Sequence, residues 1–133
     1  MKPAKKATKA TRTRPRMHRI TEEMRAWSAA LEAEVLDWPQ VIGKPMFGFL
    51  AVYRRGKIFA ALPRTRTMDP PNSVAFKIEE ASPQLRKKIS VEPRIHGADF
   101  AQARWMTFEM NSNEDLRQVL DWLRRAYEAA KAR

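Results

Sequence analysis

The chain has 133 residues, of which 44% are hydrophobic, and its formal net charge is +11. This length supports one compact domain with a real core, and no apolar run approaches the roughly 18 residues of a membrane span, so no membrane partner is expected. The absence of cysteine excludes disulfides, thiolate catalysis and cysteine-based zinc or iron–sulfur sites, and it is consistent with the cytoplasmic location that we expect.

The positive charge is concentrated in residues 1–19. Eight of the 26 basic residues lie there without any acidic residue, whereas the rest of the chain has 18 basic residues and 15 acidic ones. A segment so poor in apolar side chains cannot offset the entropy that it loses on ordering. The sequence therefore predicts a disordered basic arm over residues 1–19 and a folded domain over residues 20–133.

Residues Thr21–Trp38 have the pattern of an amphipathic helix. Thr21 is a suitable N-cap, and the two glutamates directly after it complement the helix dipole. Pro39 ends the helix, because the residue before a proline avoids the α region. Apolar side chains recur at steps of three and four and so share one face; they are Ile20, Met24, Trp27, Leu31, Val35 and Trp38.

Three strands are predicted to follow, at Met46–Tyr53, Ile58–Leu62 and Ser73–Ile78. In the first strand both alternating sets of residues are apolar, which indicates a central strand covered on both faces. The polar segment Arg54–Lys57 contains Gly56, which can adopt a positive φ. This segment therefore predicts a hairpin between the first two strands.

The second half of the chain begins with a long polar loop, Arg64–Asn72, of the kind that often carries function. Ser82 and Pro83 form an N-cap followed by proline at the first helical position. Ser112 and Asp115 resemble a capping box. The elements after the third strand are a short helix to about Ile89, a weak edge strand at Val91–Phe100, a strong strand at Arg104–Met110 and a helix at about Asn113–Ala130.

These elements give the order α-β-β-β-α-β-β-α. Hairpins and short connections favour antiparallel pairing, and the amphipathic helices need a sheet face on which to bury their apolar stripes. The sequence therefore predicts an α+β fold, a two-layer α/β sandwich with a five-stranded, mostly antiparallel sheet.

Several short segments resemble known families. Met46-Phe47-Gly48 and Gly56-Lys57-Ile58-Phe59-Ala60 resemble the opening hairpin of TfoX N-terminal-like domains, although Phe49 stands where that pattern has a second glycine. The later chain is similar to MmcQ/YjbR-like proteins, in the segments Val74-Ala75-Phe76-Lys77, the stretch around Pro93, Arg104-Trp105-Met106 and Ala126-Tyr127. The resemblance covers roughly residues 20–130. It implies a two-layer α/β architecture with an antiparallel sheet, and it brings no catalytic residues.

Two groups of basic residues are candidates for contacts with nucleic-acid phosphates. Lysine and arginine on a flexible arm release counterions on binding DNA or RNA, which gives salt-dependent affinity without sequence preference. The alternative is a solubilising arm and a solvated helix face whose charges pair with Glu79 and Glu80. The candidates are Lys5, Lys6, Lys9, Arg12, Arg14 and Arg16 in the arm, and Arg86, Lys87 and Lys88 on the short helix.

No group of residues has the pattern of a catalytic or metal site. His96 is the single histidine of the predicted domain, and Asp99, three residues later along a strand, points to the opposite face. Trp105 could stack on a base or a ligand ring, but we expect it to pack beneath a helix. We therefore expect a protein that is not an enzyme and has no metal and no cofactor.

The leading hypothesis is a small non-enzymatic binding module that contacts DNA or RNA nonspecifically through its basic arm. One alternative is a protein-interaction or chaperone-like domain with an exposed sheet face around Phe47, Phe49 or Trp105. Another is a small-ligand binder or an enzyme with a pocket beside the Arg64–Asn72 loop. Such a pocket would contain Tyr53, Lys77 or His96.

Overall fold

The computed structural model describes residues 18–68, 70–97 and 105–130. Three helices and eight strands are found in these ranges. In chain order they are β1 (His18–Arg19), α1 (Glu22–Val35), β2 (Val41–Met46), β3 (Phe49–Arg54), β4 (Lys57–Pro63), β5 (Arg66–Thr67), β6 (Ser73–Lys77), α2 (Pro83–Ser90), β7 (Ile95–His96), β8 (Trp105–Glu109) and α3 (Asp115–Ala130).

The strands form two sheets. The main sheet has six strands in the order β2-β3-β4-β6-β8-β7, and β1 and β5 form a separate two-stranded sheet. Every neighbouring pair is antiparallel. The predicted α+β class, its three helices and its antiparallel pairing are confirmed, whereas the prediction of a five-stranded sheet is wrong. None of the helices in the described part of the chain is long and apolar enough to cross a membrane.

The strand count differs because the predicted strand Met46–Tyr53 contains a turn. Phe47 and Gly48 have φ angles of 44° and 89°, and Met46 pairs directly with Phe49 on either side of them. Two consecutive residues with positive φ make the tight turn that suits a two-residue hairpin. Apolar residues continue through this turn, so the sequence shows no polar break there, and the segment from Val41 becomes a strand of its own.

The second hairpin has the turn that the sequence predicts. Arg55 and Gly56 have φ angles of 51° and 85°, and Arg54 pairs with Lys57 across them. At the far edge of the sheet, the predicted strand Val91–Phe100 is reduced to the two residues of β7 in its described part. Pro93 lacks a backbone N–H and so cannot donate to a ladder, which explains why pairing starts after it.

Helices α1 and α3 pack on one face of the main sheet and contribute to a single large core. The predicted N-cap of α1 is present, since the Met24 N–H donates to Thr21 Oγ1 at 3.0 Å. α1 ends at Val35, three residues before the predicted end. In α3 the ring of Trp122 stacks on Phe76 of β6, with 6.0 Å between the ring centroids. Within the described ranges, no long helix packs on the opposite face of the sheet.

Candidate nucleic-acid interface

A polar cleft of about 430 Å³ lies beside the two-stranded sheet and the first turns of α1. We call it the arginine cleft, because three of its four charged side chains are arginines. The fourth is Glu22. Its lining residues are Arg19, Ile20, Glu22, Arg25, Thr65 and Arg66.

Two of the arginines face each other across the small sheet. Arg19 on β1 is the direct antiparallel partner of Arg66 on β5, so their side chains start from the same face of the ladder. Like charges placed directly opposite each other destabilise a strand pair. All three cleft arginines are exposed, and none of them forms an ion pair within the part of the chain that the structure describes. The arrangement favours a bound anion.

The walls of the arginine cleft are held by backbone hydrogen bonds. The carbonyl oxygen of Gly48 accepts N–H groups from Arg64 and Thr65, both at 2.9 Å, and from Arg66 at 3.3 Å. The Ile20 N–H donates to the carbonyl oxygen of Thr65 at 3.1 Å. The tip of the β2–β3 hairpin, the β4–β5 connection and β1 are thereby joined in one unit.

Arg64 lies next to the cleft but already forms an ion pair with Glu32. Its Nε and Nη2 donate to the two carboxylate oxygens of Glu32 at 2.9 and 3.1 Å. This bidentate hydrogen bonding, reinforced by the negative charge of Glu32 and partly opposed by burial, raises the pKa of Arg64. Arg94 is similarly engaged, because its Nη1 donates to Asp115 Oδ1 at 2.7 Å. Among the described residues, no ion pair of this kind is found for Arg19, Arg25 or Arg66.

The basic residues that the sequence singled out fall in two places. The six arm residues, from Lys5 to Arg16, lie outside the described residues. Arg86, Lys87 and Lys88 are exposed on α2. Glu79 forms an ion pair with Lys77 at 2.9 Å, and the expected pairing of α2 with Glu79 and Glu80 stays a prediction.

Sequence reasoning missed the arginine cleft. It assigned Arg19 to the arm, whereas the structure pairs Arg19 with Arg66. A ladder of two residues is too short to leave a periodic signal, and the three arginines come from separate elements. Only their common position on β1, α1 and β5 brings them together.

The three aromatic residues considered for an exposed apolar patch differ in exposure. Phe47 at the hairpin tip is 88% exposed, whereas Phe49 is buried. Trp105, expected to pack beneath a helix, is 36% exposed. The reason is the alternation of β8: its neighbour Met106 enters the core under the helices, so Trp105 faces the other side.

The sheet face opposite the long helices has a row of small side chains. Ala51, Ala61 and Ala75 are direct neighbours on β3, β4 and β6, and Ala75 in turn pairs with Thr107 on β8. A largely apolar cavity of about 390 Å³, which we call the sheet pocket, lies over part of this row. Its lining residues are Met46, Ala61, Met68, Ala75, His96, Gly97, Trp105, Met106 and Thr107.

Few polar or titratable side chains line the sheet pocket. His96 Nε2 lies 3.0 Å from Glu109 Oε1 on the neighbouring strand, so the imidazole has one carboxylate partner. Within the described ranges, no group of three or more His, Cys, Asp or Glu side chains is placed to hold a metal ion. The pocket can therefore accommodate an apolar group beside one polar edge.

Comparison of the chain with family models, with curated proteins and with solved structures gave no match. The similarity to TfoX N-terminal-like and MmcQ/YjbR-like proteins stays a prediction. Function is therefore argued from the cleft and the pocket themselves.

Proposed function

We propose that this protein is a small non-enzymatic binding module that contacts the phosphate backbone of DNA or RNA without sequence preference. The observation that carries the proposal is the opposed pair Arg19–Arg66 with Arg25 beside it in one cleft. Guanidinium groups donate in a planar fork that matches phosphate oxygens, and a bound phosphate relieves the repulsion between facing arginines.

The basic arm supports the same proposal because it is directly connected in sequence to Arg19 of the cleft. Arg16 precedes Arg19 by three residues, so the arm charges are tethered directly to one wall of the cleft. Tethering makes every further phosphate contact intramolecular once the first has formed, which raises the effective concentration of the arm at the bound strand. The arm and the cleft are then two parts of one electrostatic interface.

The test is fluorescence anisotropy with a labelled random-sequence DNA duplex and a labelled single strand over a series of salt concentrations. The cleft variant carries Arg19→Gln, Arg25→Gln and Arg66→Gln. Glutamine keeps the Cβ and Cγ of Arg66, which lie against Gly48. The matched control on α2 carries Arg86→Gln, Lys87→Gln and Lys88→Gln and removes the same number of charges.

A third full-length variant replaces the arm residues Lys5, Lys6, Lys9, Arg12, Arg14 and Arg16 with glutamine. We expect the cleft variant to bind more weakly than the α2 control at every salt concentration, and the arm variant to bind most weakly. Equal losses in the cleft variant and the α2 control would show that net charge alone matters. A larger loss in the α2 control would place the interface on that helix, and no binding by the unaltered chain at low salt would refute the proposal.

A second candidate function is binding of a small apolar ligand in the sheet pocket. The specific observation in its favour is a largely apolar cavity of about 390 Å³ whose lining includes Ala61 and Ala75. Ligand sites are typically cavities of about 300–1,000 Å³ with mostly apolar walls. Its methionine side chains are flexible and polarisable and adapt to an aromatic guest. The cavity adjoins Met68 in the Arg64–Asn72 loop, and a ligand pocket beside this loop was one of the alternatives considered from the sequence.

Titration with the neutral fluorophore Nile red tests this second candidate. Ala75→Leu fills the floor of the pocket and is expected to abolish the fluorescence increase, whereas Val91→Ala removes an exposed apolar side chain elsewhere. A thermal melt of each variant checks that it is folded. Equal fluorescence for Ala75→Leu and the unaltered protein would exclude the sheet pocket as the binding site.

A further inference from the structure

The tip of the β2–β3 hairpin presents an aromatic ring in an unusual way. Phe47 has a φ of 44°, in the left-handed region that bulky side chains rarely adopt. Two-residue turns of this kind favour asparagine, aspartate or glycine at that position. The side chain is also 88% exposed, so core packing does not account for a phenylalanine here. A strained and exposed aromatic residue points to a contact outside the chain.

The hairpin tip is held firmly against the arginine cleft. Gly48, the other turn residue, accepts backbone N–H groups from Arg64, Thr65 and Arg66. A Cβ built on Gly48 would lie 2.7 Å from Arg66 Cγ, which shows how closely the tip approaches the Arg66 side chain. Phe47 therefore directly precedes Gly48, whose backbone carbonyl binds the cleft residues Thr65 and Arg66.

We propose that Phe47 stacks on an unpaired base of a single-stranded nucleic acid whose phosphates occupy the arginine cleft. This inference rests on the proposed function, and it names the substrate class: single strands with an accessible base. Stacking on an aromatic ring is tolerant of sequence, because every base has a π-face. In a duplex the bases are stacked on one another, so Phe47 contributes only to the binding of single strands.

The experiment separates phosphate contacts from base contacts with two labelled probes. One is a twelve-nucleotide thymidine strand, and the other is an abasic strand with the same number of phosphates. The full chain is compared with Phe47→Asn, with Phe47→Trp and with Val91→Asn. Asparagine tolerates positive φ, so the first variant keeps the turn. Val91→Asn is the control for losing an exposed apolar side chain elsewhere.

We expect the full chain to bind the thymidine strand roughly five- to tenfold more tightly than the abasic strand, from the stacking of one base. Phe47→Asn is expected to remove this preference while leaving abasic affinity unchanged. Phe47→Trp and Val91→Asn are expected to retain the preference.

Two results would overturn the inference while leaving the proposed function intact. The first is equal affinity of the full chain for the thymidine and abasic strands. The second is a preference that persists in Phe47→Asn. If Phe47→Asn instead turned a self-associated protein into a monomer in sedimentation experiments, with unchanged oligonucleotide affinity, Phe47 would belong to a protein contact. Failure of the proposed function has a different signature, because the abasic strand itself would then not bind.

Discussion

At the scale of the residue, Phe47 combines backbone strain with exposure. A non-glycine residue in the left-handed region costs roughly 1–2 kcal/mol, and asparagine bears less of this cost because its short polar side chain can hydrogen-bond locally. The ring of Phe47 recovers little of it through packing, since it is 88% exposed. Strand pairing accounts for the positive φ, but folding alone does not explain why a phenylalanine occupies this position.

Replacing Phe47 with asparagine is expected to raise the free energy of unfolding by about 1 kcal/mol, because the turn strain is relieved and little packing is lost. Urea denaturation followed by circular dichroism measures the change. Phe47→Ala is the control, since alanine removes the ring but gains no local hydrogen bond. A variant less stable than the unaltered protein would mean that Phe47 packs in solution, and would weaken the case for an external contact.

At the scale of the element, the two hairpin turns look alike but have different surroundings. Gly48 and Gly56 have φ angles of 89° and 85°, so the backbone strain of any other residue is nearly equal in both. A Cβ on Gly48 would lie 2.7 Å from Arg66 Cγ and 3.0 Å from Thr65 Oγ1, whereas a Cβ on Gly56 would meet nothing within 4 Å. A side chain added at Gly48 would therefore meet neighbouring atoms, whereas one added at Gly56 would meet open space.

Gly48→Ala is therefore expected to destabilise the fold by about 1–3 kcal/mol more than Gly56→Ala, the amount typical of overpacking. Both variants bear the same strain of positive φ, so their difference isolates the contact between the tip and the cleft. Chemical denaturation of the pair gives this difference. Equal losses of stability would show that the β2–β3 tip is not held against Arg66.

Helix α3 is fixed to the sheet near its C-terminal end by Tyr127. The Tyr127 hydroxyl donates to the carbonyl oxygen of Pro39 at 2.9 Å, and the guanidinium of Arg54 lies 3.9 Å from the ring centroid. Arg54 Nη1 also donates to the Tyr127 carbonyl oxygen at 3.1 Å. The ring packs on Trp38 and Phe59 as well.

Tyr127→Phe is expected to lower the free energy of unfolding by about 1 kcal/mol, because it removes one partly buried hydrogen bond and keeps the ring. Tyr53→Phe is the matched control, since no hydrogen bond of the Tyr53 hydroxyl is found among the described residues. Thermal or urea unfolding measures both variants. No difference between them would indicate that water replaces the contact with Pro39 at no cost.

At the scale of the whole molecule, the arginine cleft brings together charges that are far apart in the sequence. The formal net charge of +11 arises mainly in residues 1–19, and the remainder is close to balanced. Within that balanced remainder, Arg25 and Arg66 still lack an ion pair among the described residues and join Arg19 in one cleft. When equal numbers of charges are removed, their position is therefore expected to decide how far binding weakens.

The salt dependence of binding provides a count of phosphate contacts. Each contact contributes about 0.7 to the slope of log K against log salt for a single strand and about 0.9 for a duplex. If each cleft arginine makes one contact, Arg19→Gln, Arg25→Gln and Arg66→Gln together reduce the single-strand slope by about 2. Anisotropy at several salt concentrations gives the slope. An unchanged slope would mean that these arginines do not touch phosphate.

The local sequence pattern was sufficient to predict those parts of the fold that depend on residues close together in the chain. The α1 stripe, its cap at Thr21 and the turn at Gly56 follow from side-chain spacing and from the conformational freedom of glycine. The turn at Phe47 was missed because phenylalanine is not a turn residue, and its positive φ is imposed by the pairing of Met46 with Phe49. That pairing is a property of the sheet and not of the local sequence.

The sequence by itself determined the α+β class, the basic segment at residues 1–19, the two long amphipathic helices and the absence of cysteine chemistry. The tertiary structure alone decided that Arg19, Arg25 and Arg66 share a cleft, that Phe47 is exposed and that Trp105 faces away from the helices. The physical reason is the distance along the chain over which each interaction acts. Periodicity and capping act over a few residues, whereas strand order and register set which distant side chains meet.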